Sequence, residues 1–388
     1  MINIKDKKDC CGCGACVNIC PKKCIELIED NEGFLYPEVN KAICFNCKLC
    51  ENVCPISNKK SLSNEIIEAY ASYAKDDYIR EKSSSGGMFS LIANEILNDN
   101  GVVFGAVFDK DFSVKHVAID NVDDLNLLRG SKYLQSRIED TYQKAKEYLE
   151  NGTMVLFSGV ACQIAGLKTF LGKEYENLYT VDVLCHGVPS PKLWQKYIDY
   201  QEKMYNSKVE KIIFRHKKYG WKKYEVFLEF SNKTSYEKKH YEDIFMRLFL
   251  KDVCLRPSCH SCRFKELDRP SDITLGDCWG INKVMPEMDD DKGTSIVLIH
   301  SKNGKLLLEN IEKDLVLKMG DVDEILPKYA DSRKSVKKHK NRDKFFNKLN
   351  KKNIKIDSLV KLIEPSFSLK VKNKLLIILL NIKRKLLD

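Results

Sequence analysis

CCGCGACVNICP occupies residues 10–21 and CFNCKLCENVCP occupies residues 44–55, and the spacing these stretches share decides the amino-terminal fold. Each carries the run C-x2-C-x2-C-x3-C-P. The first places Cys10, Cys13, Cys16 and Cys20 before Pro21, and the second places Cys44, Cys47, Cys50 and Cys54 before Pro55. Three cysteines set three residues apart wrap one face of a compact cube, while the proline ends the loop and starts the return element. A pair of structural zinc sites is the alternative. Zinc ordinarily takes its ligands as two separated pairs, without a third cysteine and a Cys-Pro close behind. Two thiolate-bound four-iron clusters fit the runs better.

The spacing is that of bacterial two-cluster ferredoxins, in which the fourth cysteine of each run crosses to the other cluster. It groups Cys10, Cys13 and Cys16 with Cys54, and Cys44, Cys47 and Cys50 with Cys20. Cys11 and Cys24 fall off the pattern and read as small packing residues in a sulfur-rich core.

Outward from this module, 388 residues imply two or three domains, and a hydrophobic share of 43% suffices for real cores. Composition divides the chain into 1–58, a polar linker, 66–150, 151–330 and a Lys-rich segment, 331–388. The net charge of +10 is concentrated in that last segment, which has 18 Lys and Arg against 5 Asp and Glu. The first 330 residues balance at 47 basic against 50 acidic, which argues against nucleic acid as a partner. The start, MINIKDKKDCCGC, lacks the apolar run of a secretory signal, and the longest apolar stretch, Leu375 to Leu380, is far too short to span a bilayer. Sixteen cysteines in such a chain point to metal or redox chemistry in a reducing cytoplasm.

Hydrophobic patterning predicts a strand over 69–74, a helix over 84–98 and a strand over 102–108, the last apolar at nearly every position and so buried on both faces. A strand over 153–157, a helix over 162–171 and a strand over 178–184 form a strand–helix–strand unit. The expected fold class is α/β, mixed with α+β character: a ferredoxin fold followed by an α/β domain. Cys162 and Cys185 then follow the carboxyl ends of adjacent parallel strands, the edge where open α/β sheets bind ligands.

SSSGGMFS (83–90) sets small residues before a helix, which suits a phosphate or an ordinary helix cap. With RGSKYLQS (129–136), FSGVACQIAGL (157–167), DVLCHGVPS (182–190), LRPSCHSC (255–262), DITLGDCWG (272–280) and DKGTSIVLI (291–299), it resembles the beta-subunit family of coenzyme F420 hydrogenases and dehydrogenases, joined to an amino-terminal ferredoxin. The resemblance runs over roughly residues 5–320. It implies an FAD-binding iron–sulfur oxidoreductase that exchanges electrons between ferredoxin-type clusters and a two-electron carrier, the deazaflavin in the name-giving members. It further implies that Ser84, Ser85, Gly86, Gly87, Gly130, Ser131, Lys132 and Tyr133 line the flavin, with Lys132 balancing the FAD diphosphate or the reduced flavin. Val160-Ala161, His260 and Cys278 depart from the family pattern and bear on the substrate pocket.

Cys259 and Cys262 form a C-x2-C pair which, alone, suits a dithiol, half a zinc site or half a cluster site. Cys162 and Cys185 match family cysteines, and the resemblance implies a third four-iron cluster held by Cys162, Cys185, Cys259 and Cys262, with Cys254 or Cys278 as substitutes. His186, Asp277 and Trp279 are explained equally by structural roles. The 369–387 segment reads as a basic amphipathic helix, suited to an anionic membrane surface, a partner or its own domain, and 332–344 as a solvated linker. The expected partners are a redox protein or ferredoxin and a small two-electron carrier. A non-catalytic relay docked on another oxidoreductase, and a reductase of an unrelated ring substrate, are the rival readings.

Overall fold

The computed structural model describes residues 1–58, 65–327, 330 and 333–364. In the amino-terminal module, short helices α1 (Ala15–Asn18) and α2 (Leu49–Asn52) each follow the second cysteine of a run. Strands β1 (Ile25–Glu29) and β2 (Leu35–Val39) form an antiparallel hairpin between the runs. This is the expected ferredoxin-like module.

The body is built on an eight-stranded mixed sheet. Its strands are β3 (Glu68–Ala74), β4 (Val102–Phe108), β5 (Val114–Ile119), β6 (Val155–Val160), β7 (Leu178–Val183), β11 (Ile273–Asp277), β12 (Ser295–Ile299) and β13 (Leu315–Met319). They lie in the order β13-β3-β12-β11-β7-β6-β4-β5. β4, β6, β7 and β11 run parallel and form the middle. The near-continuous apolar run of β4, VVFGAVF, follows from burial on both faces, as the patterning predicts. One face of the sheet packs on α4 (Met88–Asn98) and α10 (Lys302–Ile311) through Ile92, Ile96, Val103, Leu156, Val297 and Leu308. The other packs on α6 (Thr141–Glu150) and α7 (Ala161–Leu171) through Phe104, Tyr142, Phe157, Ile164 and Leu167. Cys13, Ala15 and Val53 of the amino-terminal module belong to this same core. The module is therefore packed into the body and does not hang from a linker.

The remaining elements on the way are α3 (Asp77–Lys82) and α5 (Leu125–Leu128). A second sheet of β8 (Val209–His216), β9 (Glu225–Phe230) and β10 (Ser235–Lys239) packs against α8 (Pro191–Tyr205) and α9 (Ile244–Leu250). Its core takes in Phe34 from the amino-terminal module, fully buried and worth roughly 1.5–3 kcal/mol.

Two expectations need adjustment. The helix predicted from Ser84 begins only at Met88, because Gly87 adopts φ 93°, a left-handed conformation that breaks helical propagation. The stretch expected as a solvated linker is partly packed: Val336 and Arg342 are buried, and Arg342 donates to Glu32 at 2.8 Å. Phe345, Phe346, Leu349 and Leu359 beyond it join the second core. The amphipathic helix expected over 369–387 lies outside the described residues.

Candidate cluster centre and its surroundings

β6 ends at Val160 and α7 begins at Ala161, so Cys162 sits in the first turn of a helix at the carboxyl edge of the parallel strands. β7 ends at Val183, and Cys185 follows two residues later at the same edge. The chain returns to this place after α9 through a short helical turn, Pro257–Ser261, which carries Cys259 and delivers Cys262. All four cysteines line one cavity of about 220 Å³, together with Cys11, Val160, Gly187, Phe264 and Lys265. The topology thus brings together four thiols separated by up to a hundred residues.

Backbone amides aim at two of these sulfurs. Val188 N–H donates to Cys259 Sγ and Phe264 N–H to Cys262 Sγ, each at 3.4 Å. Burial pushes the Cys259 thiol up to about 12 and the Cys262 thiol up to about 11, and raises Cys185 against the pull of Lys265 and Arg269. Four thiols gathered in one cavity are a soft donor set, the kind that suits a thiophilic metal or cluster. No group of three or more Cys, His, Asp or Glu side chains converges on a single metal ion among the described residues.

In the amino-terminal module a second, smaller cavity of about 20 Å³ is lined by Cys44, Cys47 and Cys50 of the second run, with Cys20 from the first and Cys24. Cys24 Sγ lies 3.4 Å from Cys20 Sγ. Cys16 is half-buried beside Cys10 and beside Cys54 and Cys50 of the other run, and desolvation pushes its thiol up to about 12. The two runs therefore meet side by side. Ile2 N–H donates to Cys50 Sγ at 3.2 Å.

Cys11 and Cys24 do more than fill space. Each lines one of the two thiol cavities, and Cys11 lies against both Cys13 and Cys162. Cys13 is in turn pressed on α7: a Cβ added at Gly166 would come within 2.9 Å of both Cys13 Cβ and Tyr142 Oη. Only glycine lets the first run approach the helix that starts at Cys162 so closely.

Sequence reasoning missed the buried Arg256, which cements this junction. Its Nε donates to Cys10 O at 2.9 Å, Nη2 to Leu35 O at 2.9 Å, and Nη1 to Gln135 Oε1 at 3.1 Å. Nη2 also lies 3.6 Å from Cys10 Sγ, and the guanidinium covers the Tyr36 ring at 4.4 Å. The signal was present in LRPSCHSC, three residues before Cys259, but a lone arginine in a loop names no partner.

The structure also joins the two serine–glycine segments. Ser131 donates to Ser84 Oγ through its N–H at 2.7 Å and its hydroxyl at 2.8 Å. Ser85 Oγ donates to Thr294 O at 3.0 Å, and Gly86 N–H to Ser295 Oγ at 3.0 Å. Lys132 turns back on the end of α5, where its ammonium donates to the carbonyls of Leu128, Arg129 and Gly130 at 3.0–3.3 Å, and burial lowers its pKa to about 8. Tyr133 packs edge-on to Phe214, with centroids 5.3 Å apart. Beside Tyr133, from β8, stands the buried Arg215, paired with Asp277 and lying over the rings of Tyr224 and Trp279. Its Nε and Nη2 are buried with no hydrogen-bond partner among the described residues. Lys217, held by the carbonyls of Arg80, Ser85 and Lys292, is likewise pushed down to about 8 by burial and by Arg215 and Arg80. Unpartnered guanidinium nitrogens and a packed cation are what an anionic group would satisfy there.

Comparison with known families accounts for most of these segments. Residues 152–325 match the carboxyl-terminal part of the beta subunit of coenzyme F420 hydrogenase/dehydrogenase, and residues 69–141 match the amino-terminal part of that same beta subunit. The chain belongs to the coenzyme F420 hydrogenase/dehydrogenase beta-subunit family. Residues 9–58 match a 4Fe-4S dicluster domain, so this family member carries its own iron–sulfur module in front of the two beta-subunit parts. Among solved structures, one from the F420-reducing [NiFe] hydrogenase complex of Methanosarcina barkeri is similar at 19% identity, covering 70% of this chain and 87% of that chain with a TM-score of 0.45. No curated protein matches the chain. No helix among the described residues is long and apolar enough to cross a membrane.

Proposed function

We propose that this family member is an iron–sulfur flavoprotein that passes electrons between ferredoxin-type clusters and a two-electron carrier, coenzyme F420 or a similar acceptor. The five-cysteine cavity lying directly against the first cysteine run carries this reading. Cys10, Cys13, Cys16 and Cys54 hold one four-iron cluster, Cys20, Cys44, Cys47 and Cys50 a second, and Cys162, Cys185, Cys259 and Cys262 a third. Ser84–Gly87 and Gly130–Tyr133 line FAD, with Arg215 and Lys217 supplying charge to its anionic part. When bound, the clusters supply single-electron steps and the flavin the exchange of single electrons for pairs.

The chain's own contribution is placement and environment. Arg256 fixes the first run against the body and sets a positive charge beside Cys10, which favours the more negative, reduced state of whatever those cysteines hold. The amides of Val188 and Phe264 do the same at Cys259 and Cys262. α7 holds Cys13 close to the helix that carries Cys162 through the tight contact at Gly166.

The test is iron, acid-labile sulfide and flavin per chain on protein purified without oxygen. About twelve irons with one FAD is the expected result. About eight irons with no flavin, even after reconstitution, overturns both the third cluster and the hydride chemistry. The relay reading is favoured by the solvent-facing cysteine of the second run, and turnover of a small acceptor by the isolated chain separates relay from enzyme.

A further inference from the structure

The two cysteine runs differ at one position. Cys13 and Cys50 are buried and the other cysteines of both runs half-buried, but of all sixteen cysteines Cys47 is the single exposed one. Around it the loop leaves large apolar side chains uncovered, Phe45 at 59% exposure and Leu49 at 39%, with Met1 beside them at 38%. Met1, Phe45 and Leu49 line the same small cavity as Cys47, and so do Lys22 and Lys48. Both lysines are exposed, and neither forms an ion pair among the described residues. The nearby Glu51 is occupied by the amino terminus.

An apolar centre with a charged, solvated rim is the anatomy of a protein interface. Free lysines at that rim mean the fitting partner carries carboxylates there. Electron transfer falls steeply with distance, so a partner gains most by covering the place where a cluster ligand reaches solvent. We propose that the surface around Cys47 is the docking face for an acidic one-electron carrier protein, which exchanges electrons with the chain through a small, transient contact. This rests on the reading that Cys20, Cys44, Cys47 and Cys50 hold a cluster. The electron balance is plain: the carrier is oxidised by one electron as the chain is reduced by one, or the reverse, with no bond made or broken. Interfaces of this kind are small, under about 1,200 Å² in total, and depend on charge steering for their speed.

Stopped-flow reduction of the anaerobic full-length chain by a prereduced acidic bacterial two-cluster ferredoxin tests the proposal. The second-order rate constant of the unaltered protein should fall steeply between low and physiological ionic strength. Lys22→Glu with Lys48→Glu should lower it at least tenfold at low salt, flatten its salt dependence and speed electron delivery to a basic c-type cytochrome. Phe45→Ser should lower it several-fold without changing the salt slope. Iron content, and the number of electrons taken from excess dithionite, should stay unchanged in every variant. Equal rates for all variants at full iron content would overturn the docking face and leave the cluster assignment standing. So would a homodimer of the unaltered chain that Phe45→Ser dissociates, since the face would then belong to a second copy. An iron content that Cys44→Ser with Cys47→Ser leaves unchanged would instead overturn the cluster reading beneath it.

Discussion

The thiol cavity and the serine–glycine segments are two candidate sites that lie in the same body and obey different rules. Around the cavity, the donors are soft, two backbone amides point at sulfur, and the space is open at about 220 Å³. At the serine–glycine segments the polar groups are largely engaged with one another: Ser131 with Ser84, Ser85 with Thr294, and Lys132 with three carbonyls. The first place leaves room among its sulfurs. The second is a self-consistent scaffold whose unsatisfied groups, on Arg215, come from a distant strand. A site can thus be declared by its unmet demand for charge or by its completed bonds, and only the former kind is conspicuous in a sequence.

Replacing Cys259 and Cys262 together by serine gives the largest expected effect and would break the comparison if it failed. The protein should lose about four irons per chain and the spectroscopic signature of one cluster, while the two amino-terminal clusters and any bound flavin remain. Iron and sulfide assays with low-temperature electron paramagnetic resonance check this. Unchanged iron would move the centre to other ligands, Cys11 first among them.

A second, smaller effect concerns acid. His116 is buried beneath β6, stacked on Phe157, with its Nε2 2.8 Å from Ser158 O. Burial, opposed by that hydrogen bond, lowers its pKa to about 4. Between pH 4 and 6.5 the unfolded chain binds a proton that the folded chain refuses, so stability is full above about 6.5 and declines as pH falls. The loss by pH 4 is about 3 kcal/mol. Urea midpoints at pH 4.5 and 7 should differ strongly in the native protein and much less in His116→Gln. Equal acid sensitivity in both would place the weakness elsewhere and leave the strand leading to Cys162 no frailer than the serine side.

The smallest effects sharpen the contrast in packing. Gly166→Ala should destabilise by about 1–2 kcal/mol, the cost of overpacking against Cys13 and Tyr142 exceeding the gain of about 1 kcal/mol in helix propensity. Ser131→Ala should cost only about 0.5–1 kcal/mol, because the Ser84 hydroxyl keeps the Ser131 N–H as a donor. Thermal denaturation of the two variants side by side checks the order, and its reversal would make the serine side the more tightly determined.

How far each region could be read in advance follows from the same contrast. The cysteine runs were legible because ligand spacing is set by local chain geometry, and Cys20–Pro21 and Cys54–Pro55 state where each loop ends. β4 was legible because double burial leaves a nearly continuous apolar run, and β7 because a helix and short turns set it off as the return strand of a strand–helix–strand unit. The meeting of Cys162, Cys185, Cys259 and Cys262 was reached through family resemblance, since no local rule brings residue 162 to residue 262. Arg256 and Arg215 escaped because a buried arginine is recognised by its partners, and those lie on other elements. Cys11 escaped because its neighbour Cys162 is supplied by a helix more than a hundred residues on. The late start of α4 turned on Gly87, whose left-handed conformation the Ser-Ser-Gly-Gly sequence permits but does not require.

The bidentate pair between Glu32 and Arg342 spans 310 residues of sequence. At ordinary rates of synthesis, roughly 15–60 s separate the appearance of the two side chains outside the ribosome. During that interval the first cysteine runs exist without the surfaces that later cover them, and Phe34, destined for the second core, stands in water. The nascent module therefore passes through a stage in which its thiols are open to cluster-delivery proteins and to oxygen alike. The first run closes early, once α7 reaches Cys13 and Arg256 reaches Cys10, while the core around Phe34 waits for Phe346, so shielding and final packing are successive events in the life of a single molecule.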